Sequence, residues 1–264
     1  MDSTTVSSKV KAAAKGFAAA VFWIVVWQIL SMVVDQEILL PSPRRVIEAA
    51  VPLVTGAEFW KTVALSIVRI ALGFLAALVI GCVLAVLTAK WQWFRTLVSP
   101  LLHIVRAAPV ASFIIMALVW IEKSRLPAFI AFLMVVPIVW ANVEEGIRRT
   151  DRGLLEMAQV YRLGFWRTLW KIRLPSVMPY LLTACTTGLG FAWKSGVAAE
   201  VICRPEWSIG MELNDAKMYL ETPNMFVWTA VVILLSFLFE KLLLGLLAAA
   251  KKRWFSGMRE EDGV

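Results

Sequence analysis

Among the ionisable residues that interrupt the apolar stretches of this sequence, three are the first candidates for chemistry: Arg106, Lys194 and Glu200. A charge near the centre of a membrane span costs at least ~2.5–3.5 kcal/mol, so such groups usually face a cavity or a partner. Lys194 and Arg106 are therefore candidates to line a pathway for a polar or anionic solute. Glu200 is included in this set, although its distance of six residues from Lys194 does not make the two neighbours on a helix.

Each of these charges also has a purely structural interpretation. Lys194 could bind carbonyls freed around Gly190 and Gly196, or pair with an acid on another helix. Arg106 lies beside Pro109 and, like Arg69, is interpreted first as a side chain anchored at the membrane interface. The residues alone leave the two interpretations of Lys194 open.

The sequence lacks the residues that an enzyme active site would need. It contains one histidine, His103, and its three cysteines show neither metal-ligand nor disulfide spacing. No G-x-x-x-x-G-K-[S/T] phosphate loop is present, so any ATP hydrolysis would belong to a separate polypeptide. We predict a protein that is not an enzyme and has no cofactor or metal site.

The elements that hold these charges are apolar segments of membrane-spanning length. The apolar fraction is 60% and the mean hydropathy +0.74, against roughly 45–50% apolar residues in soluble proteins. The excess predicts contact with lipid, and hence an all-α polytopic membrane protein with about six spans. The expected spans are residues 17–34, 62–89, 97–121, 126–142, 176–202 and 225–250. A short interfacial helix is expected from Pro43, and Gly73 and Gly81 lie near one face of the second span, where small residues permit close helix packing.

The distribution of basic residues predicts the topology. Six spans place both termini on one side, and that side carries sixteen Lys and Arg residues against seven on the other. The excess of basic residues marks the cytoplasmic side. We therefore expect a cytoplasmic segment 1–16, a transmembrane domain 17–250 with a cytoplasmic loop at about 143–175, and a cytoplasmic tail 251–264. Because the net charge of +8 is concentrated between spans, it does not predict nucleic-acid binding.

Within that loop, the segment from Glu156 to Pro175 alternates basic and bulky apolar residues. Read as one helix, it would be amphipathic, with Ala158, Tyr161, Phe165 and Ile172 on one face. Such a helix suits either a membrane surface or a groove on a partner protein.

The segment also resembles a known motif. Glu156-x-Ala158, Ile172-x-Leu174-Pro175 and Pro179 have the spacing of the EAA motif in permeases of binding-protein-dependent ABC importers. Further segments, at 40–46, 66–81, 99–113 and 192–202, resemble the nitrate/sulfonate/taurine-type permeases, so the similarity covers about residues 40–250.

This resemblance implies a fold like the transmembrane domain of type I ABC importers, in the bacterial inner membrane. It implies a pathway between two permease copies, two ATPase subunits docked on the cytoplasmic loops, and a solute-binding protein at the outer loops near 40–60 and 203–224. The implied ATPase-coupling residues are Glu156, Ala158, Tyr161, Arg162, Gly164, Phe165, Trp166, Leu174 and Pro175.

One position departs from the family pattern. The family usually has glycine six residues after the Glu, where the chain turns between two short helices, but this chain has Arg162. Either the turn is displaced, with Gly164 the nearest glycine, or the first helix is longer.

The alternative function is a secondary transporter or channel that works without an ATPase. Such a protein would show two inverted halves and intramembrane acids for ion coupling. The lone Lys194 and the absence of a clear mid-membrane acid count against it. The sequence does not identify the substrate.

Overall fold

The computed structural model describes the backbone of residues 3–261 and the side chains of residues 18–242, 244 and 245. All regular elements in this part of the chain are helical. The side chains of the expected cytoplasmic segment 1–16 and tail 251–264 lie outside the described residues.

The first helices follow the hydropathy pattern closely. Helix α1 comprises Ser3–Val34, α2 Pro43–Thr55 and α3 Ala57–Lys90. Ser42 caps α2 by accepting a 3.4 Å hydrogen bond from the backbone N–H of Arg45, and Pro43 occupies the first turn. A serine cap followed by proline is a typical helix start, so the short helix expected at Pro43 is present.

The third expected span is not one straight helix. Residues 97–121 are divided between α4, Gln92–Ala107, and α5, Val110–Ala117, whose axes differ by 104°. The break coincides with Pro109, whose ring and missing N–H prevent an ordinary helical turn. The third expected span is thus broken at one of the prolines within it, and Arg106 lies in the last turn of α4 beside the bend.

The remaining helices surround the loop of interest. They are α6 (Leu126–Arg148), α7 (Arg152–Val160), α8 (Phe165–Thr168), a π-helical turn (Leu169–Arg173), α9 (Leu174–Cys203), α10 (Ile209–Met218) and α11 (Thr222–Glu261). Because α10 lies within residues 203–224, that segment is not the simple polar loop that was expected.

Three of the described helices are long and apolar enough to cross a membrane: Ala57–Lys90, Leu126–Arg148 and Thr222–Leu242. The bent pair α4–α5 would make a fourth if it forms one span, and Ala18–Val34 is a shorter apolar helix. Helix α9 has 30 residues, enough for ~45 Å at 1.5 Å per residue, but it is less apolar. The all-α membrane class is confirmed, whereas the count of six spans is not matched exactly.

The described residues form two compact units. In the first, which contains the chain up to Trp60 and Glu212–Val231, Trp27 donates to the carbonyl of Pro41 at 3.0 Å and stacks on Phe226. Thr222 donates to the carbonyl of Ile38 at 2.6 Å. These contacts join α1 and the segment before α2 to the start of α11.

In the second unit, Lys61–Met211 and Val232 onward, α6 and α9 pack along their length. An apolar cluster joins α4, α5, α6 and α9, with members Val105, Ile114, Ala117, Leu126, Ile130, Met134, Ala199 and Cys203. Gly73 and Gly81 of α3 both face α6. A Cβ on Gly73 would lie 2.1 Å from the carbonyl oxygen of Ala128, and one on Gly81 would lie 2.7 Å from Cβ of Val139, which confirms the expected close packing of small residues.

Candidate functional site

The loop between α6 and α9 begins with a capped helix. The Asp151 side chain accepts a 2.7 Å hydrogen bond from the backbone N–H of Gly153 and caps α7. Glu156 lies within α7, is exposed, and makes no hydrogen bond or ion pair with the part of the chain that the structure describes.

Helix α7 ends in a left-handed turn at Arg162. The N–H of Leu163 donates to the carbonyl of Ala158 at 2.8 Å, and the N–H of Arg162 donates to that of Gln159 at 3.0 Å. This pair of bonds is the Schellman motif, in which the residue after the cap usually is glycine because its φ is positive. Here Arg162 has a φ of 49°.

The turn is therefore at the position where the family has glycine. Both sequence-based alternatives were wrong, because the turn is not displaced and α7 ends at Val160. Gly164 instead has a φ of −61° and precedes α8. A left-handed conformation costs an L-residue roughly 1–2 kcal/mol.

The segment from Glu156 to Pro175 is consequently not one amphipathic helix. Ala158 and Ile172 are buried, whereas the side chains of Tyr161, Phe165 and Trp166 are 73%, 66% and 69% exposed. The single-face interpretation was wrong because the turn at Arg162 separates the two helical pieces. The buried residues attach the loop to the protein, and the aromatic residues project from it.

A π-helical turn connects α8 to α9. The N–H of Leu174 donates to the carbonyl of Leu169, one residue further back than in an α-helix. Pro175 follows directly, and a proline ring would collide with the carbonyl four residues earlier in a regular helix. Widening of the helix by one residue relieves this collision, and Ser176 Oγ donates to the carbonyl of Ile172 at 2.7 Å. Leu174 and Pro175, both partly buried, thus shape the return from the loop into α9.

The exposed part of the loop carries aromatic and basic side chains. The rings of Phe165 and Trp166 meet edge to face with centroids 5.7 Å apart. Tyr161, Arg162 and Arg167 are also exposed. We call the side chains of Tyr161, Phe165 and Trp166 the aromatic knob.

Two of the three predicted pathway charges, Lys194 and Arg106, are exposed. Lys194 projects from α9 and Arg106 from the last turn of α4, and neither makes a hydrogen bond or ion pair with the described residues. On α9, Thr183, Thr187 and Phe191 are exposed on the same face as Lys194, at helical spacing. The structural interpretation of Lys194, in which it binds helix-end carbonyls or an acid, is thus not observed within the described chain.

Glu200, the third predicted pathway charge, lies in the protein interior with 0% of its surface exposed. Its Oε2 accepts hydrogen bonds from Ser66 Oγ at 2.8 Å and from the backbone N–H of Gly210 at 3.3 Å. Its Oε1 lies 3.7 Å from Nη1 of Arg69. Glu200 therefore interacts with residues of α3 and α10, and it is buried, whereas Lys194 is exposed.

Arg69 binds protein groups and is not a lipid anchor, so that prediction was wrong. Its guanidinium donates to the carbonyls of Glu206 at 2.7 Å and Trp207 at 3.0 Å, in addition to facing Glu200. The ring of Trp207 also receives the ammonium of Lys61, 3.7 Å from its centroid. Charged side chains within apolar spans usually face a protein partner or a cavity. Because Arg69 lies in such a span, the sequence could have predicted that it binds protein groups.

Sequence reasoning missed a second buried ion pair, between Arg95 and Glu144. Nε of Arg95 lies 2.8 Å from Oε1 of Glu144, and Glu144 is buried. The sequence signal that could have indicated this pair was the position of Glu144, an acidic residue within the last turns of the apolar helix α6. No group of three or more His, Cys, Asp or Glu among the described residues could hold a metal ion.

Comparisons with known proteins identify the class to which this fold and loop belong. Residues 77–256 match the family described as "Binding-protein-dependent transport system inner membrane component". The chain belongs to this family and is an integral protein of the inner membrane.

Individual relatives narrow this class. The chain is 25% identical over 241 residues to the taurine transport system permease protein TauC of Escherichia coli (strain K12), covering 88% of this chain and 86% of TauC. It is 27% identical to the putative aliphatic sulfonates transport permease protein SsuC of Bacillus subtilis (strain 168), covering 80% and 77%. The nitrate import permease protein NrtB of Synechocystis sp. (strain ATCC 27184 / PCC 6803 / Kazusa) is 26% identical, with 68% of each chain covered. The chain is thus an ABC importer permease of the nitrate/sulfonate/taurine type.

Solved structures agree on the fold. A chain of the MetNI methionine ABC transporter in an inward-facing conformation superposes with a TM-score of 0.56, at 19% identity, over 72% of this chain and 93% of that one. A chain of an amino acid ABC transporter gives a TM-score of 0.55 at 15% identity, over 73% and 93%. The permease fold expected from the resemblance is confirmed.

Proposed function

We propose that this permease forms the pathway for a small polar, anionic solute and is driven by a separate ATPase that docks on the loop between α6 and α9. In the complete importer, two permease copies enclose the pathway and two ATPase subunits bind their loops. A solute-binding protein delivers substrate near residues 40–60 and 203–224. Both termini and the loop are cytoplasmic, in keeping with the excess of basic residues on that side.

The aromatic knob is the observation that carries the docking proposal. Large exposed aromatic side chains beside arginine are typical of the residues that dominate protein interfaces. In this loop they are held on a fixed base, since Asp151 caps α7 and Ala158 and Ile172 are buried. A rigid projecting group loses little conformational entropy when it enters a cleft, and it can transmit movement of that cleft to α6 and α9.

The anionic substrate is proposed from charge and from the relatives. Lys194 and Arg106 are exposed cations without an acidic partner among the described residues. The relatives are named for transport of taurine, aliphatic sulfonates and nitrate, and these solutes carry a sulfonate group or are themselves an oxyanion. A lysine or arginine on the pathway would offset the cost of bringing such an anion into the membrane.

Co-purification tests the docking proposal. The full chain is expressed with the ATPase subunit of its own transporter, and the amount of ATPase retained is compared between wild type and Phe165→Ala, Trp166→Ala. Since truncation of an interface anchor typically costs ~2 kcal/mol or more, we expect affinity for the ATPase to fall by at least about 30-fold.

Trp120→Ala is the matched control, because Trp120 is also exposed (74%) but lies outside the loop, and it should retain the ATPase. Retention of the ATPase by the double variant at the wild-type level would disprove the docking proposal.

A further inference from the structure

The C-terminal half of α6 directly precedes the loop of residues 149–173, which we call the coupling loop. This half of α6 is attached to three other helices. Nε1 of Trp140 donates to Oγ1 of Thr88 on α3 at 3.0 Å. A Cβ on Gly146 would lie 2.9 Å from the ring of Tyr180, so α6 and α9 are in tight contact where the loop leaves and returns. The third attachment is the ion pair of Glu144 with Arg95 on α4.

The Glu144–Arg95 pair differs in kind from the surface pairs of this protein. The Glu144 side chain is 6% exposed, and its Oε1 makes no hydrogen bond within the described chain, so its compensation is the charge of Arg95. A buried carboxylate that loses its cationic partner is strongly destabilised. Separation of Arg95 from Glu144 would leave this carboxylate buried without a charged partner.

The ion pair lies at one end of the contact between α4 and α6. Arg95 lies in the first turn of α4, and Leu102 and Val105 form its buried face. Val105 belongs to the same apolar cluster as Ile130 and Met134 of α6, so α4 runs antiparallel along α6 from the ion pair to the cluster. Arg106 lies at the far end of α4, where the chain bends by 104°.

We infer that Arg95 and Glu144 are positioning residues that make α4, and with it Arg106, follow the movement of the coupling loop. The inference rests on the proposed docking of an ATPase on that loop. Movement of the loop shifts the C-terminal end of α6, where Glu144 lies four residues before the last helical residue, Arg148. The ion pair carries α4 along, and because α4 packs against α6 as a rigid helix, Arg106 is displaced with it. The pair thus links ATP-driven movement to a cation on the proposed pathway.

The test separates coupling from stability by removing both charges. The variant Arg95→Gln, Glu144→Gln leaves no buried charge without a partner and keeps similar side-chain volumes. The full importer, with its ATPase and binding protein, is reconstituted in vesicles, and ATP hydrolysed per solute imported is measured together with ATPase retention. We expect the ATPase to be retained and the ATP consumed per solute to rise at least fivefold, whereas Arg95→Lys, which keeps the charge pair, should remain close to wild type.

Glu122→Gln with Arg125→Gln is the matched control, because this glutamate–arginine pair is exposed and lies in a loop; its ATP-to-solute ratio should equal that of wild type. A wild-type ratio in the Arg95→Gln, Glu144→Gln variant would overturn the inference. Failure of that variant to accumulate would assign the pair a purely structural role and overturn it as well. If the wild-type chain fails to retain the ATPase, the docking proposal itself is wrong, which is a distinguishable outcome.

Discussion

Ser66 and Glu200, 134 positions apart in the chain, form a buried hydrogen bond of 2.8 Å between Oγ and Oε2. The same Oγ accepts a 3.0 Å hydrogen bond from the backbone N–H of Ile209. One hydroxyl therefore joins α3, α9 and the start of α10, and Arg69 adds two bonds to the backbone between α9 and α10. The connection after α9 is thus attached to α3 by side chains that no local pattern would pair.

Substitution of Ser66 tests the strength of this attachment. Ser66→Ala should lower the stability of the purified chain by about 1–3 kcal/mol, because it leaves the buried Glu200 carboxylate and the Ile209 N–H with fewer partners. Thermal unfolding in detergent measures the loss. Ser112→Ala, at an exposed serine, should unfold at the wild-type temperature; equal melting of the Ser66 and Ser112 variants would contradict the proposed attachment.

Substitution of Lys194 tests the anion pathway. Lys194→Met keeps a long apolar side chain and removes the charge, so we expect solute uptake to fall by at least about tenfold, since hydrogen bonds to charged groups contribute about 1.5–3 kcal/mol. Uptake is measured in vesicles that contain the complete importer, with retention of the ATPase as the check on assembly. Lys123→Met removes an exposed lysine outside the spans and should leave uptake unchanged. Undiminished uptake by the Lys194 variant would exclude it from the pathway.

Substitution of Arg162 tests the strained turn of the coupling loop. Glycine adopts a positive φ without the steric cost that arginine has at 49°, so Arg162→Gly should stabilise the chain by about 1 kcal/mol. Arg167→Gly removes the same side chain from a helical position and should instead be destabilising by ~0.5–1 kcal/mol. The two melting temperatures should shift in opposite directions, and a parallel decrease would argue against strain at Arg162.

Substitution of Gly73 tests the close contact of α3 and α6. A methyl group at this position meets the backbone of Ala128, which cannot move as a side chain can. Gly73→Ala should therefore separate the two helices and lower the melting temperature by several degrees, corresponding to an overpacking cost of about 1–3 kcal/mol. Gly190→Ala, where no atom lies within 4 Å of the added Cβ, should be neutral or stabilising. The contact is unimportant if both alanine variants melt alike.

Several features of this fold are determined locally. The helix starting at Pro43, the close packing at Gly73 and Gly81 and the all-α membrane class follow from residue type and spacing, and the structure confirms them. The break at Pro109 could not be read from the sequence, because a proline in an apolar stretch does not by itself say whether the helix is kinked or broken. The turn at Arg162 was missed because arginine rarely adopts a positive φ and no local rule predicts it there.

The sequence by itself determined that the chain enters a membrane, where its apolar segments lie, and to which family the loop from Glu156 to Pro175 belongs. Hydropathy and motif spacing are properties of neighbouring residues, so they can be read without a fold. The tertiary structure alone decided that the aromatic knob projects, that Glu200 is buried against Ser66, and that Glu144 is joined to Arg95. These relationships depend on how distant helices dock, and a buried charge acquires its partner only when that docking excludes water from both groups.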